Sequence, residues 1–418
     1  MQTYKKKKEG DIYNMKCILM NKNKKIALIE LNNNNNSIEK IYEIYNIDYA
    51  PLSFKNATQN NSINNLKALN SWFKGRGIPN WRKDLENLLN KLGINSPDEL
   101  LNKSYALSLS DQYWIKDENQ SNLKWKDINF FTNKFEYKGY LDISFSSTSD
   151  VDIDLYSPNN TTDGMLQKAW IIDENDNRVL VKGTYSPSRQ EPINEWLVSQ
   201  ICKKLNIDYC NYEIDVIDNK IVSKCKDFIN ENEEIITAHE IFYSEKQSNN
   251  INDFEHYINI LERHNIKNAR QQVENMFLID YIVMNFDRHM KNYGIIRNVE
   301  NLKWERVTPI FDTGECMECD KILGEMNFRD GKCKFFKNTN MDLSKLLKYI
   351  DITRFDFSVL QDIPDMFKEK LNQYKKYTDM LDERIEKLYR GLKYRINNLE
   401  DYRKKLALSI EENTKDVM

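Results

Sequence analysis

Hydrophobic and polar positions divide this chain into three stretches. Near the start, apolar runs at residues 17–20 and 26–31 flank a polar link at 21–25 and predict a short β-hairpin. Helical spacing follows at 66–73 and 81–92. Ser96-Pro97-Asp98-Glu99 predicts a helix start, with Ser96 as N-cap, Pro97 in the first turn and Glu99 closing a capping box. The block to about residue 150 therefore reads as mixed α and β, without a titratable cluster that suggests chemistry.

The pattern changes after residue 150. Apolar strands at 169–172 and 178–181 surround the turn 173–177. Pro192 then opens a helix to about Leu205, with Ile193, Trp196, Leu197, Ile201 and Leu205 on one face. Strands at 212–217 and 220–224 follow, separated by Asp218-Asn219. Strand, strand, helix, strand, strand is an α+β arrangement rather than an alternating parallel array. From about 241 the chain is mostly helical. Residues 273–286 are apolar nearly all round and predict a buried helix. Strands at 293–296 and 306–311 and a long loop come next, and 342–418 reads as several helices, the last charged and amphipathic. The expected division is 1–150, 151–228 and 229–418.

Composition narrows the class. The 418 residues are 40% apolar and include 23 Tyr, 18 Phe and 7 Trp, enough for a substantial core. Lys plus Arg is 61 and Asp plus Glu is 64, so the basic excess of a nucleic-acid binder is missing. No apolar run approaches the roughly 20 residues that span a bilayer, and the N-terminal Lys5–Lys8 segment lacks a signal-peptide core and reads as a solvated tail. Seven cysteines in a chain of this size predict free thiols and a cytoplasmic protein without membrane or direct nucleic-acid partners. The asparagine run at 32–36 reflects biased base composition. Cys316, Cys319 and Cys333 supply three possible zinc ligands where a structural site wants four, so they too are expected to be free. His239, His256 and His264 share no ligand spacing and are expected in surface or capping roles.

The sharpest chemical signal is Asn285-Phe-Asp287-Arg-His289-Met-Lys291-Asn292, followed by Ile310-Phe-Asp312-Thr-Gly314. Phosphoryl transfer needs a carboxylate to orient the attacking hydroxyl and metal ligands to neutralise the phosphates. Asp287 and Asn292 have the D-x-x-x-x-N spacing by which kinases supply both from one loop, and Asp312 arrives beyond a hairpin as a second metal-binding acid. Upstream, Val179-Leu-Val-Lys182 ends a strand with a lysine suited to the α/β-phosphates. Glu195 on the next helix is its expected partner, with Glu191 second. The polar stretch 157–168 is the expected phosphate cover, with Gly164 as its one glycine, Thr161 and Thr162 beside it and Lys168 as a second cation.

On these residues the chain resembles the HipA family of serine/threonine kinases, from the bacterial toxin–antitoxin group. The resemblance spans about residues 150–400 and is carried by 285–292, 309–314, the Lys182 strand and the Asn194-Glu195-Trp196 helix. It implies a two-lobed kinase-like fold, with Asp287 as base, Asn292 and Asp312 as Mg²⁺ ligands, Lys182 on the ATP phosphates, and an adenine hinge from Lys224 to Phe228. It places His289 and Lys291 in the catalytic loop, with Lys291 on the transferring phosphate. It implies a protein substrate with Ser or Thr, autophosphorylation near the phosphate loop, where Ser157, Thr161 and Thr162 are available, and an antitoxin partner. The phosphate loop departs from the family's small-residue pattern, and residues 1–150 match none of its motifs. A small-molecule or lipid kinase on the same fold, or a silent binding module, are the alternatives.

Overall fold

A computed structural model describes residues 14–32, 36–59, 64–80, 82, 85–146 and 154–415. The Lys5–Lys8 segment, most of the asparagine run, and Trp81, Lys83 and Asp84 lie outside the described residues. Among those described, residues 14–136 and 154–164 form one compact unit, and 137–146 with 165–415 form a second.

The first unit opens with β1 (Asn14–Asn21) and β2 (Lys24–Asn32), joined tightly through Lys22 in a left-handed conformation. After β3 (Ser37–Ile44) come α1 (Leu52–Gln59), α2 (Asn65–Lys74), α3 (Leu85–Leu92) and α4 (Pro97–Lys103). Then follow β4 (Tyr113–Asp117) and α5 (Trp125–Ile128). The strands make an antiparallel sheet in the order β3-β2-β1-β4. Cys17, Leu19, Ile26, Ile29 and Leu31 from the hairpin pack against Phe54, Leu69 and Phe73 from the helices. Pro97 does start α4, but the capping box is not made: Ser96 forms no side-chain cap, and its carbonyl instead accepts the Glu99 N–H at 3.2 Å.

The second unit begins with α6 (Lys138–Phe145). A four-stranded antiparallel sheet follows, built from β5 (Lys168–Ile172), β6 (Arg178–Lys182), β7 (Tyr212–Ile217) and β8 (Lys220–Lys226), in the order β5-β6-β8-β7. Between β6 and β7 runs α7 (Glu191–Leu205), ended by Asn206 in a left-handed conformation. Phe145 of α6 packs on Ala169, Val181 and Val222 of the sheet.

Beyond this sheet lie β9 (Glu233–Thr237), α8 (Ala238–Phe242), α9 (Asp253–Arg263) and α10 (Ala269–Val283). The buried helix thus starts before residue 273 and stops at 283, because Met284 turns left-handed and its N–H bonds back to Tyr281. Strands β10 (Gly294–Asn298) and β11 (Trp304–Val307) complete a three-stranded sheet in the order β11-β10-β9. A Cβ at Gly294 would sit 2.0 Å from the Ile236 carbonyl oxygen, so only glycine fits that crossing. The expected strand at 306–311 ends at Val307; Ile310 instead bridges in parallel to Tyr209. A hairpin of β12 (Lys332–Lys334) and β13 (Asn340–Asp342), then α11 (Ile363–Gln373) and α12 (Asp382–Lys415), close the chain. No helix among the described residues is long and apolar enough to cross a membrane.

Candidate active site

Two lysine–aspartate pairs organise the second unit. The first is built on the central strand β6. Cross-strand register sets Lys182 opposite Lys168 of β5 on one side and Ser223 of β8 on the other. The Lys182 ammonium is 3% exposed and contacts Glu195 of α7 and, at 2.5 Å, Asp312 Oδ1. Glu195 also accepts the Ser223 hydroxyl, so its buried carboxylate has a donor on both oxygens. The Tyr212 ring lies 5.5 Å from the ammonium, and its hydroxyl accepts the Asp312 N–H at 3.1 Å. Burial works against the charge on Lys182, but Asp312 and Glu195 outweigh it and hold the ammonium protonated. Burial likewise opposes charge on Asp312, and Lys182 and Lys168, with His289, nevertheless hold its carboxyl well below the usual carboxylate range.

Glu195 was expected on a face turned away from an apolar stripe. In the structure α7 is buried on nearly every side: Glu195 and Asn194 are as inaccessible as Ile193 and Leu197, while Trp196 is only half-buried. A glutamate that deep is tolerated because it is paired and hydrogen-bonded. Glu191, the second candidate, instead caps the Tyr185 and Ser186 amides with Oε1 and does not reach Lys182.

The second pair sits in the loop after α10. Asp280, one turn before the helix end, takes a bidentate ion pair from Arg288 at 2.9 Å, with both side chains buried. The other terminal nitrogen of Arg288 donates to the Asn292 carbonyl at 2.9 Å and the Phe311 carbonyl at 2.8 Å. One guanidinium therefore ties the Asp287–Asn292 loop to the residue before Asp312. Asn285 donates to Asp280 and accepts the Asp287 N–H at 3.0 Å, and Asn292 donates its side-chain amide to the Asp287 carbonyl at 3.3 Å. Asp287 is left with its carboxylate 30% exposed. Lys334 of β12 contacts Oδ1, and His289 Nε2 stands 3.8 Å from Oδ2. Lys291 was expected on the transferring phosphate. It is exposed, and Lys334 contacts the Asp287 carboxylate.

The segment after Asp312 is fastened to α7. Asp312 itself is left-handed, with φ 54°, a conformation that costs a non-glycine residue on the order of 1 kcal/mol. Asn194 donates to the Gly314 and Cys316 carbonyls, both at 2.8 Å, and accepts from Gln190 at 2.8 Å. A Cβ at Gly314 would meet the Glu191 side chain at 3.0 Å. Glu315 has its carboxyl pushed up to about 7 by burial and by neighbouring Glu191 and Asp287.

Several expected positions fall elsewhere. The 157–168 stretch is not one phosphate loop. Its residues to Gly164 belong to the first unit, where Thr161 donates to the Leu107 carbonyl at 2.9 Å and Thr162 accepts from Arg82 at 2.8 Å. Gly164 is left-handed, as glycine permits, and its N–H donates to Asp163. Ser157 is buried and caps its own short turn. Lys168 begins β5 and lies near enough to Asp312 to stabilise its charge. Lys224 lies inside β8, not in a hinge, and is engaged by Asp215; Phe228, beyond the strand, packs on Phe311 with ring centres 5.3 Å apart. Cys316, Cys319 and Cys333 are buried thiols, and Cys319 donates to Glu315. His256 is buried, not a surface group, with Nε2 3.0 Å from the Phe242 carbonyl. His264 caps α9 and stacks on Trp304 at 3.7 Å.

Sequence reasoning missed Lys334, Arg288 and Tyr212. Lys334 carries no local signal, being 47 residues from its partner. Arg288 could have been noticed as an arginine between the candidate base Asp287 and the candidate metal ligand Asn292, with Asp280 on the preceding helix.

Known proteins are similar to this chain. Residues 161–354 match the family model of the HipA-like C-terminal domain. The serine/threonine-protein kinase CtkA of Helicobacter pylori (strain J99 / ATCC 700824) is 28% identical over 174 residues, 38% of this chain and 53% of that protein. The chain thus matches about half the length of this curated relative. The crystal structure of the H. pylori proinflammatory kinase CtkA aligns at 19% identity over 57% of this chain and 95% of that one, with a TM-score of 0.42. Shewanella oneidensis MR-1 HipA, solved with HipB and its operator DNA, aligns at 12% identity over 93% of this chain and 99% of that one, with a TM-score of 0.53. The span that matches the HipA-like C-terminal domain model holds Lys182, Glu195, Asp287, Asn292 and Asp312 together, and this chain is similar there to a serine/threonine-protein kinase.

Proposed function

We propose that this chain is an ATP- and Mg²⁺-dependent serine/threonine protein kinase of HipA type. The carrying observation is that one buried guanidinium, Arg288, links the loop bearing Asp287 and Asn292 to the turn bearing Asp312, which pairs with Lys182, itself held by Glu195.

In this reading Lys182 and Lys168 face the ATP phosphates. Asn292 and Asp312 offer an amide and an ionised carboxylate oxygen, a donor set that suits Mg²⁺, whose charge would neutralise the phosphates. Asp287 orients the acceptor hydroxyl. Its oxygen bonds the γ-phosphorus, its proton passes to Asp287, and ADP leaves with the electron pair of the broken phosphorus–oxygen bond. Positioning and charge neutralisation do the rest.

We further propose self-phosphorylation, and a role as the toxin of a toxin–antitoxin pair, with an antitoxin protein supplying any contact to DNA. The support is the likeness to HipA, solved as a toxin–antitoxin complex with HipB and operator DNA. A cytoplasmic location is supported by seven cysteines without a disulfide among them.

The test is transfer from γ-labelled ATP to the chain itself and to dephosphorylated casein, with Mg²⁺ or with EDTA, beside Asp287→Ala. Mg²⁺-dependent label on Ser or Thr, reduced at least about 10³-fold in the variant, is the expected result. Tight ATP binding with label only on added lipid or small-molecule hydroxyls would move the assignment to that substrate class. No ATP binding would sink the kinase reading.

A further inference from the structure

The contact between Lys334 and Asp287 is not used by the mechanism above. Its setting argues against chance. On β12, Cys333 points inward and Lys332 and Lys334 point to the other face, as strand alternation requires. The hairpin register fixes Lys334 opposite Asn340. Both ends of the strand are fastened to the segment that carries Asp287. Before it, Gly331 lies so close to Met284 that a Cβ would meet the Met284 methyl at 2.9 Å. After it, Lys337 N–H reaches Met290 Sδ at 3.2 Å. Phe335 and Phe336 then anchor the chain in a buried aromatic cluster with Phe277 and Tyr257. Backbone on either side is therefore rigid, while the lysine side chain is 33% exposed and projects onto the carboxylate.

Two residues after Asp287 stands His289, 3.8 Å from Oδ2. A base carboxylate beside a transferring phosphoryl group needs a cation, because negative charge builds on the equatorial oxygens.

We propose that Lys334 is a catalytic residue that carries positive charge from the base to the transferring phosphoryl group. The inference rests on the kinase reading above. Before transfer, the ammonium pairs with ionised Asp287. As the acceptor oxygen bonds phosphorus, its proton neutralises Asp287, and the bond to the bridging oxygen breaks with its electrons leaving on ADP. The ammonium, released by the neutralised acid, then bonds the oxygens of the phosphoryl group. A flexible, half-open lysine suits that exchange better than a buried one.

The test compares wild type, Lys334→Met and Lys334→Arg in the full chain. Lys334→Met should slow phosphotransfer to casein by about 10²-fold, the usual loss for one charge-stabilising donor. It should weaken binding of Mg²⁺·ADP·aluminium fluoride, a mimic of the transferring group, at least roughly tenfold, while Mg²⁺·ADP binds within about twofold of wild type. Lys334→Arg should recover part of both, and both variants should melt within a few degrees of wild type, since the side chain is open to solvent. A Lys334→Met protein that transfers phosphate at the wild-type rate would overturn the proposal. One that transfers faster would also overturn it, by making Lys334 a lock on the base. Equal loss of ADP and ADP·aluminium fluoride affinity would do the same, by making its role structural. A wild-type protein that binds no ATP sinks the kinase reading itself, and this inference with it.

Discussion

Asp312 and Asp287 make an instructive pair. Their carboxylates are almost equally open, at 29% and 30% exposure, and each is in contact with a lysine. The lysines differ. Lys182 is buried and shared with Glu195, whereas Lys334 is one-third exposed and, among the described residues, pairs with Asp287 alone. A buried cation held by two acids cannot leave without stranding charge in a low-dielectric site, so it acts as a fixed part of the frame. An exposed ion pair is worth little, typically about 0–1 kcal/mol, so its lysine can change partners during a reaction. Stability and chemistry are thus divided between two contacts that look alike on paper.

The largest effect should come from breaking the fixed pair. Lys182→Ala leaves Glu195 buried without its cation. It should cost about 3–5 kcal/mol in chemical denaturation and also abolish measurable ATP binding by calorimetry. The matching change at Lys334 should leave the melting temperature nearly untouched. Equal destabilisation by the two would collapse the distinction. Next in size is the clamp on the Asp312 side. Asn194→Ala removes two donors from the Gly314 and Cys316 carbonyls and should cost about 2–4 kcal/mol, read as a lower urea midpoint. ATP affinity should fall with it, because the turn that presents Asp312 loosens.

A third acid sharpens the comparison from the other side. Asp227, just beyond β8, has a buried Oδ2 with no hydrogen-bond partner. Burial pushes its carboxyl up to about 8 and outweighs the opposing Ile229 and Phe228 amides and Arg178, with Glu233 adding a smaller push upward. An acid with a raised folded-state value holds its proton where the unfolded chain has lost it. Stability is therefore greatest below about pH 4 for this group and declines as pH rises to about 8. Wild type should lose a few degrees of melting temperature between pH 5 and 8 from this source, and Asp227→Asn should lose roughly that much less. Identical pH profiles would show that Asp227 is ionised without a lysine.

Reading the sequence recovered the α+β plan, the strand pair around 173–177, and α7, because apolar period and turn residues specify these locally. Elements flanked by weak signals, such as β3, β9 and the β12–β13 hairpin, were not legible; their strands are short or polar, and β9 is held by β10, distant in sequence. At the site, Asp287, Asn292 and Asp312 were readable because covalent spacing alone fixes how one loop presents two groups, and the Lys182 strand end was readable from its apolar lead-in. The polar stretch 157–168 misled, since composition says that a segment can bind phosphate but not which carbonyls already hold its hydroxyls.

What the sequence determined by itself is the inventory and its local spacing: a lysine ending a strand, an acid and an amide five residues apart, a second acid before a glycine. What only the tertiary structure decided is who meets whom. Lys182 reaches Asp312 across 130 residues, Asn194 holds Gly314 across 120, and Lys334 returns to Asp287 across 47. Such pairings follow from how helices and strands pack, and packing depends on the whole core rather than on any local stretch. The same physics made one lysine immovable and left the other free to move.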